Sequence, residues 1–179
     1  EGLAAVIIEN KWGFIDKTGR LIINPQFDDV ERFGFSEGLA RVKIGKRWGF
    51  INKTGKIVVS PLFDLAHNFM FSEGLAGVKV GSKWGFIDKT GRIVIKPQFD
   101  DAWRFSEELA PVKIGNKWGF IGKTGKIVIE PQFDTAHSFF NGCALVWIGD
   151  TMLKIDRREY NVGNFLFYGK TDNLFMYYD

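Results

Sequence analysis

The chain has 179 residues, of which 45% are hydrophobic and 16% aromatic, so it holds enough apolar material for a sizeable buried core. Its net charge of +3, with 24 Lys and Arg against 21 Asp and Glu, lacks the uncompensated basic excess of a dedicated nucleic-acid binder, and a nucleic-acid partner is disfavoured. The single cysteine excludes an intramolecular disulfide framework, and no apolar run approaches the roughly 20 residues of a membrane-spanning helix.

One stretch of sequence recurs four times along the chain. Trp12, Trp48, Trp84 and Trp118 each open a Trp-Gly-Phe-Ile copy at a nearly constant interval, and a degenerate fifth copy follows at 152–156. Self-similarity at a regular interval of this length is typical of a stacked array of small units. The predicted units lie near 1–27, 28–63, 64–99, 100–133 and 134–159. The opening Glu-Gly-Leu-Ala matches the interior of the next unit, so we expect the chain to be cut from a longer array.

Each unit reads as a three-stranded antiparallel meander. In the second unit, 39–44 alternates apolar and polar residues as a half-buried strand does, and Gly45 at the next turn favours a tight type II′ hairpin. The second strand, 48–51, ends in a turn whose left-handed position is taken by Gly55. The third strand, 56–59, is predicted to stop at Pro61, which cannot donate to a ladder.

The connectors and the tail complete the predicted architecture. Phenylalanines in the connectors are expected to plug the gaps between units, and Asp64 and its equivalents to cap a turn or short helical step. Pro111 lies within a first strand, which places first strands at a sheet edge or directs this position away from a partner. We therefore predict an all-β, open, solenoid-like repeat array of about five meanders, with a closed β-propeller as the alternative. Residues 160–179 leave the repeat and are predicted to cap the array.

The recurring Lys-Trp-Gly-Phe-Ile-Asp-Lys-Thr-Gly-Lys-Ile-Val-Ile, followed by Pro-x-Phe-Asp and Phe-Ser-Glu-Gly-Leu-Ala, resembles the WG-repeat (KWG-repeat) family over residues 1–158. The resemblance implies an all-β repeat array of a kind common in bacterial proteins. It also implies no enzymatic activity of the repeat itself, and a binding or scaffolding role. The chain departs from the pattern at Glu108, where glycine is usual, and at Gly122, where aspartate is usual.

Catalytic and metal-binding patterns are absent from the sequence. Cys143, His67 and His137 lack the local spacing of a metal site, and no nucleophile elbow or phosphate-binding loop is present, so we predict no enzyme, metal or cofactor. The two histidines occupy equivalent connector positions. They are either recognition residues or side chains hydrogen-bonded to the backbone.

The tryptophans divide into two groups. The four repeated ones are predicted to form a buried core column, whereas Trp103 replaces connector residues such as Glu31, and Trp147 replaces a repeated lysine. These two are either binding hot spots or residues packed against a neighbouring unit. The candidate binding residues are Trp103, Trp147, His67, His137, Glu31, Arg32 and Arg104. The function predicted from these positions is a scaffold for protein–protein interaction through connectors and turn edges, and the alternative is a carbohydrate or cell-wall binding module that uses exposed tryptophans.

Overall fold

The computed structural model describes residues 1–66 and 71–157, without the side chains of residues 32, 33, 65 and 66. His67 and the predicted cap at 160–179 lie outside these ranges. The chain divides into two compact units between Arg104 and Phe105, and each is described by itself. Nothing helical within the described ranges combines the length and apolar character that crossing a membrane would require.

Strands dominate both units. The first unit contains β1 (Ala4–Ile8), β2 (Lys11–Ile15), β3 (Leu21–Phe27), β4 (Asp29–Ser36), β5 (Leu39–Ile44), β6 (Arg47–Asn52), β7 (Ile57–Phe63), β8 (Leu65–Ala66), β9 (Leu75–Val80), β10 (Lys83–Asp88), β11 (Ile93–Phe99) and β12 (Asp101–Ala102). The second unit contains β13 (Leu109–Ile114), β14 (Lys117–Gly122), β15 (Ile127–Phe133), β16 (Thr135–Ala136), β17 (Cys143–Ile148) and β18 (Thr151–Asp156).

The predicted all-β repeat array is confirmed. The meanders β1-β2-β3, β5-β6-β7, β9-β10-β11 and β13-β14-β15 are antiparallel throughout, and β17 pairs with β18 in the fifth copy. The connectors add a strand to the meander, of eight residues in β4 and of two in β8 and β16: β4 pairs with β5, β8 with β9 and β16 with β17. Successive sheets pack in chain order, β3 against β5 and β7 against β9 in the first unit and β15 against β17 in the second.

The turn between the first and second strands has left-handed backbone, at a glycine in the second copy and at two other residues in the first. Gly45 has a φ of 61° and is followed by a residue of ordinary φ, which fits a type II′ turn. In the first copy both Glu9 (φ 49°) and Asn10 (φ 62°) are left-handed, as a type I′ turn requires.

The prediction that the third strand stops at Pro61 is wrong. Strand β7 continues to Phe63, which lies opposite Trp48, while Val59 lies opposite Phe50. The stretch of β7 between these two pairs faces only Gly49 on β6, and its extra length is taken up as a bulge around the proline. A Cβ on Gly49 would lie 2.5 Å from the Val59 carbonyl oxygen, so this close approach explains the glycine that follows each repeated tryptophan.

The placement of first strands at a sheet edge holds for β1 but is wrong for β5 and β9. Strand β5 lies between β4 and β6, and β9 between β8 and β10, and each proline-bearing third strand, β7 or β11, is one edge of its sheet. Leu145, which occupies the position of Pro111 in the next repeat, accepts the His137 N–H on the connector side (2.8 Å). Since the N–H and C=O of one strand residue point the same way, a proline here removes no hydrogen bond from the β13–β14 ladder.

Aromatic side chains fill the core. In three meanders a connector phenylalanine packs edge-on against the second-strand phenylalanine, with ring centroids 5.1 Å apart for Phe14 and Phe35, 4.9 Å for Phe50 and Phe71 and 5.2 Å for Phe120 and Phe139. Trp48, Trp84 and Trp118 are buried, as predicted for a core column, and Trp12 is half-buried.

Candidate functional site

One turn edge of each repeat carries a cation held by an aspartate of the following connector. These pairs, each 2.5 Å between nitrogen and oxygen, are Lys11–Asp28, Arg47–Asp64, Lys83–Asp100 and Lys117–Asp134. The same aspartate reaches the next repeat, since Asp28 accepts the Gly45 N–H (2.6 Å) and Asp134 accepts the Gly149 N–H (2.7 Å). These residues bridge two successive hairpins instead of capping a helical step. The hydrogen bonds from lysine and from the glycine N–H lower the pKa of the Asp28 and Asp134 carboxyls.

A second set of contacts links glutamates of one repeat to the next repeat. Glu37 accepts the Gly74 N–H (3.1 Å) and forms an ion pair with Lys89 (2.9 Å), and Glu107 accepts the Gly142 N–H (3.0 Å). The repeated charged residues on these turn edges therefore hold successive repeats together.

The residue that opens the turn before the third strand, Asp16 in the first copy, has a local role. Asp16 accepts hydrogen bonds from the Thr18 N–H (2.9 Å), the Thr18 hydroxyl (2.6 Å) and the Arg20 N–H (3.0 Å). These hydrogen bonds lower the pKa of Asp16, and the bond from the Thr18 hydroxyl has the largest effect. Gly122 cannot make them, so the turn after β14 lacks this support.

Two of the predicted binding residues are in ring contact. The ring centroids of His137 and Trp147 are 5.0 Å apart with their planes at 51°, and both side chains are half-buried. Burial lowers the pKa of His137. Trp147 lies opposite Met152 across the β17–β18 ladder, at the register where Lys43 lies opposite Trp48. The aromatic residue of the cross-strand pair has thus moved to the other strand in the fifth copy.

Glu31 is buried rather than presented to solvent. It forms an ion pair with Arg41, which is also buried, and the Arg41 guanidinium lies 4.4 Å from the centre of the Trp48 ring. Burial lowers the pKa of Arg41. Opposite charges that satisfy each other inside a sheet serve packing, so this position offers a partner little surface.

The remaining predicted residues are scattered. Trp103 is half-buried and Arg104 is exposed at the end of the first unit. Arg32 lies in β4, with a side chain outside the described set, as is the whole of His67. Across residues 1–66 and 71–157, no group of three or more His, Cys, Asp or Glu side chains is arranged to hold a metal ion.

Sequence reasoning missed a site at the junction of a turn edge and a connector. Leu62 is 69% exposed, the largest fraction among the large hydrophobic side chains of the described residues. The Arg47 guanidinium donates to its carbonyl oxygen (3.4 Å) as well as to the Asp64 carboxylate. Both residues break the repeat, because glutamine stands at the position of Leu62 in three other copies and lysine at that of Arg47. Those departures were visible in the sequence.

Comparison with known families shows what the repeated framework is. The WG containing repeat matches four consecutive stretches, residues 12–48, 48–84, 84–118 and 118–150. The chain belongs to the WG-repeat family. The family is named after its Trp-Gly pair. In this chain the glycine of that pair lies against the backbone of the third-strand bulge.

Solved structures with similarity to this WG-repeat chain include plant proteins. A 2S albumin seed protein from Dolichos is 16% identical, with a TM-score of 0.33 over 74% of this chain and 87% of that one. A hemopexin-fold protein from cow pea (15%, TM-score 0.32) and a plant lectin with two metal-binding sites from Cicer arietinum (13%, TM-score 0.32) each cover 69% of this chain and 83% of their own. A search of curated proteins finds no match.

Proposed function

We propose that this WG-repeat chain is a non-catalytic scaffold that binds a protein partner through its connectors and turn edges. One contact surface, which we call the Leu62 surface, comprises Leu62 and Arg47. The observation that carries the proposal is the exposure of Leu62 at a position where the other copies have glutamine. An apolar side chain held in water at this position adds nothing to the repeat framework, and its burial by a partner is favourable.

Framework residues are poor candidates for recognition because their polar groups are already engaged. Asp28 and Glu37 hold lysines and backbone N–H groups of their own or the next repeat. Selective recognition therefore depends on positions that differ between copies, as in other repeat proteins whose framework is constant and whose surface residues vary.

The Leu62 surface combines two kinds of contact. Burying the leucine is worth about 1.5–3 kcal/mol, which corresponds to roughly a 10- to 150-fold change in Kd. The Arg47 guanidinium is half-exposed and carries spare donors beside its Asp64 partner, and arginine is enriched among interface hot spots.

Site-specific cross-linking tests the proposal. A photo-reactive residue at Ser60, which is exposed and close to Leu62 along β7, is compared with one at Lys96, the equivalent exposed position in the next repeat. In extracts of the source organism we expect a discrete protein adduct at position 60 that is absent at position 96 and is lost in Leu62→Gln. An adduct that persists in Leu62→Gln, or none at position 60, contradicts the proposal.

A second candidate function is carbohydrate binding, which the half-exposed Trp147 indole beside the His137 ring favours. Sugars stack on aromatic faces, and such binding resists salt because it does not depend on ion pairing. Titration with a panel of polysaccharides, followed by tryptophan fluorescence in the wild type, Trp147→Ala and Trp103→Ala, decides it. Saturable quenching lost in either variant supports a glycan site, and no response across the panel removes this candidate.

A further inference from the structure

Strand β7, which carries Leu62, is an edge of the sheet β4-β5-β6-β7. Its exposed and buried side chains alternate, with Val58, Ser60 and Leu62 in solvent and Val59 and Phe63 in the core. Such a strand presents one row of side chains to solvent and the backbone of its outer edge to any further strand. The Leu62 surface is therefore continuous with the edge of a sheet.

The exposed row of β7 has no charge at its centre, unlike two other third strands. Lys96 of β11 and Glu130 of β15 stand at the position of Ser60. Charged side chains on an edge strand discourage the addition of another strand, and serine places no such obstacle on β7. Pro61 has no N–H, but its nitrogen would lie 2.8 Å from a Cβ on Gly49 of β6, so it faces the neighbouring strand and removes no donor from the outer edge.

A backbone acceptor that is covered in other copies is uncovered in β7. Two of the glutamines at the position of Leu62 donate to the carbonyl oxygen two residues earlier on the same strand. These bonds are Gln26 to Asn24 (3.4 Å) and Gln132 to Glu130 (3.3 Å). Leu62 has no donor, so the Ser60 carbonyl oxygen lacks this cover. A carbonyl oxygen has two lone pairs, so this one has room for a donor from a partner.

An arginine lies at one end of this row. The Arg47 guanidinium donates to the Leu62 carbonyl oxygen (3.4 Å) and to the Asp64 carboxylate, and half of its side-chain surface is exposed. A guanidinium group has five N–H donors and binds carboxylates at two points. A carboxylate of a partner that lies along β7 therefore finds donors beside Leu62.

A lysine lies at the other end. Lys56 is exposed and directly precedes β7. In the first copy Arg20 occupies this position and pairs with Asp16 (3.4 Å), whereas Asn52 stands at the position of Asp16 in the second copy. The turn therefore supplies no carboxylate to Lys56, and the exposed row of β7 has a cation at each end. An acidic segment is the electrostatic complement of such a row.

A second copy of the chain fits this edge less well than an acidic segment does. If two β7 strands paired antiparallel about Ser60, Lys56 of each copy would meet Asp64 of the other, where Arg47 already pairs. Two cations would then share one carboxylate at each end, and like charges placed together weaken an interface. The charges therefore favour a partner that brings carboxylates of its own.

We propose that the partner presents an acidic extended segment, which adds to β7 as a further strand. An apolar side chain of the segment packs against Val58 and Leu62, and a backbone N–H donates to the Ser60 carbonyl oxygen. Carboxylates on either side pair with Arg47 and Lys56. This inference rests on the proposed function and specifies the form and charge of its partner.

A library of random 12-residue peptides displayed on phage tests the proposal. It is selected on the wild-type chain and depleted on Leu62→Gln, whose circular dichroism is checked against that of the wild type. We expect recovered peptides that combine apolar residues with Asp or Glu and bind the wild type at least about tenfold more tightly than Leu62→Gln. The recovery of no peptide, or of peptides without acidic residues, overturns the proposal.

Arg47→Lys, which restores the framework residue, tests the carboxylate contact. We expect it to reduce the preference of the protein for a recovered peptide over the same peptide with Gln in place of Glu, because a lysine has no planar fork for a second carboxylate beside Asp64. An unchanged preference contradicts the role of Arg47.

The backbone of a recovered peptide shows whether it binds as a strand. N-methyl groups are introduced at one peptide nitrogen at a time, so the protein itself is unchanged. Because only every second N–H of an added strand faces its neighbour, we expect losses of about tenfold at alternate positions and smaller losses between them. Equal effects at all positions, or losses at every third or fourth position as in a helix, overturn the proposal.

The failure of this inference is distinguishable from the failure of the proposed function. A protein adduct at position 60 with no peptide recovered refutes the extended segment but leaves the scaffold function in place, whereas the absence of an adduct refutes the function on which the inference rests. Self-association in sedimentation that is lost in Leu62→Gln would identify a second copy as the occupant and overturn the proposal.

Discussion

A pair of glycines on β14 gives the sharpest test of the account of the fold. A Cβ added to Gly119, the glycine of the Trp-Gly pair, would lie 2.4 Å from the Ile129 carbonyl oxygen and 2.7 Å from the Pro131 nitrogen. A Cβ added to Gly122 would meet only a Val128 methyl group, at 3.7 Å. Gly119→Ala and Gly122→Ala therefore add the same methyl group to the same strand in two different environments.

The two substitutions are expected to change the free energy of unfolding in opposite directions. Ordinary Cβ contacts begin near 3.4 Å, so Gly119→Ala requires β15 to move away by about 1 Å, and the obstructing atoms are backbone that no rotamer change can displace. Overpacking costs about 1–3 kcal/mol and the loss of one ladder hydrogen bond about 1 kcal/mol, which gives a destabilisation of about 2–4 kcal/mol. Gly122→Ala meets no such obstacle and restricts the unfolded chain, so it should stabilise by about 0.4–1 kcal/mol.

Denaturant unfolding of both variants measures the difference. Repeat arrays can unfold in stages, so far-ultraviolet circular dichroism and tryptophan fluorescence are recorded together and compared for coincidence. The reasoning is refuted if Gly119→Ala lies within about 1 kcal/mol of the wild type, or if the two variants are destabilised equally.

Three further predictions concern charged residues. Glu108 has a φ of 67° where other repeats have glycine, so Glu108→Gly should raise the free energy of unfolding by about 0.5–1 kcal/mol, measured as a higher denaturation midpoint. The carboxyl pKa values of Asp28 and Asp134 are lowered in the folded state, so both carboxylates contribute to the free energy of unfolding above the usual aspartate pKa, and this contribution is lost as the pH falls through the folded-state values. The free energies of unfolding of Asp134→Asn and the wild type should therefore converge as the pH is lowered. Parallel stability–pH profiles would contradict this prediction. Arg41→Met removes the buried ion-pair partner of Glu31 and should cost about 3 kcal/mol, whereas Glu31→Leu with Arg41→Met should recover most of that loss in the same assay.

The sequence was sufficient for the repeat, its strands and its turns. Glycine and β-branched patterning depend on local backbone preferences, so the hairpin at Gly45 and the strand at 39–44 could be predicted without tertiary information. The connector strand β8 could not, because so short a segment forms a strand only when a neighbouring edge is present to pair with. The bulge at Pro61 escapes prediction for a similar reason, since a bulge depends on what lies opposite it.

The candidate site was less predictable than the fold. Glu31 and Trp147 attracted notice because they differ from the equivalent residues of other copies, yet each is accounted for by a residue on the adjacent strand: Arg41 for the first and Met152 for the second. Leu62 breaks the repeat together with Arg47, but their contact is made to the Leu62 carbonyl oxygen and leaves the Leu62 side chain 69% exposed. Departure from a repeat therefore points to function where the side chain that differs stays in solvent.

The affinity of the partner captured at position 60 tests the central claim, that residues outside the repeated framework carry recognition. Binding and stability are measured side by side for the wild type, Leu62→Gln, which restores the framework residue, and Val94→Gln, a control at an exposed aliphatic position of the framework. We predict that Leu62→Gln weakens binding at least about tenfold at unchanged stability while Val94→Gln binds as the wild type does. Equal affinity for all three proteins would contradict the claim.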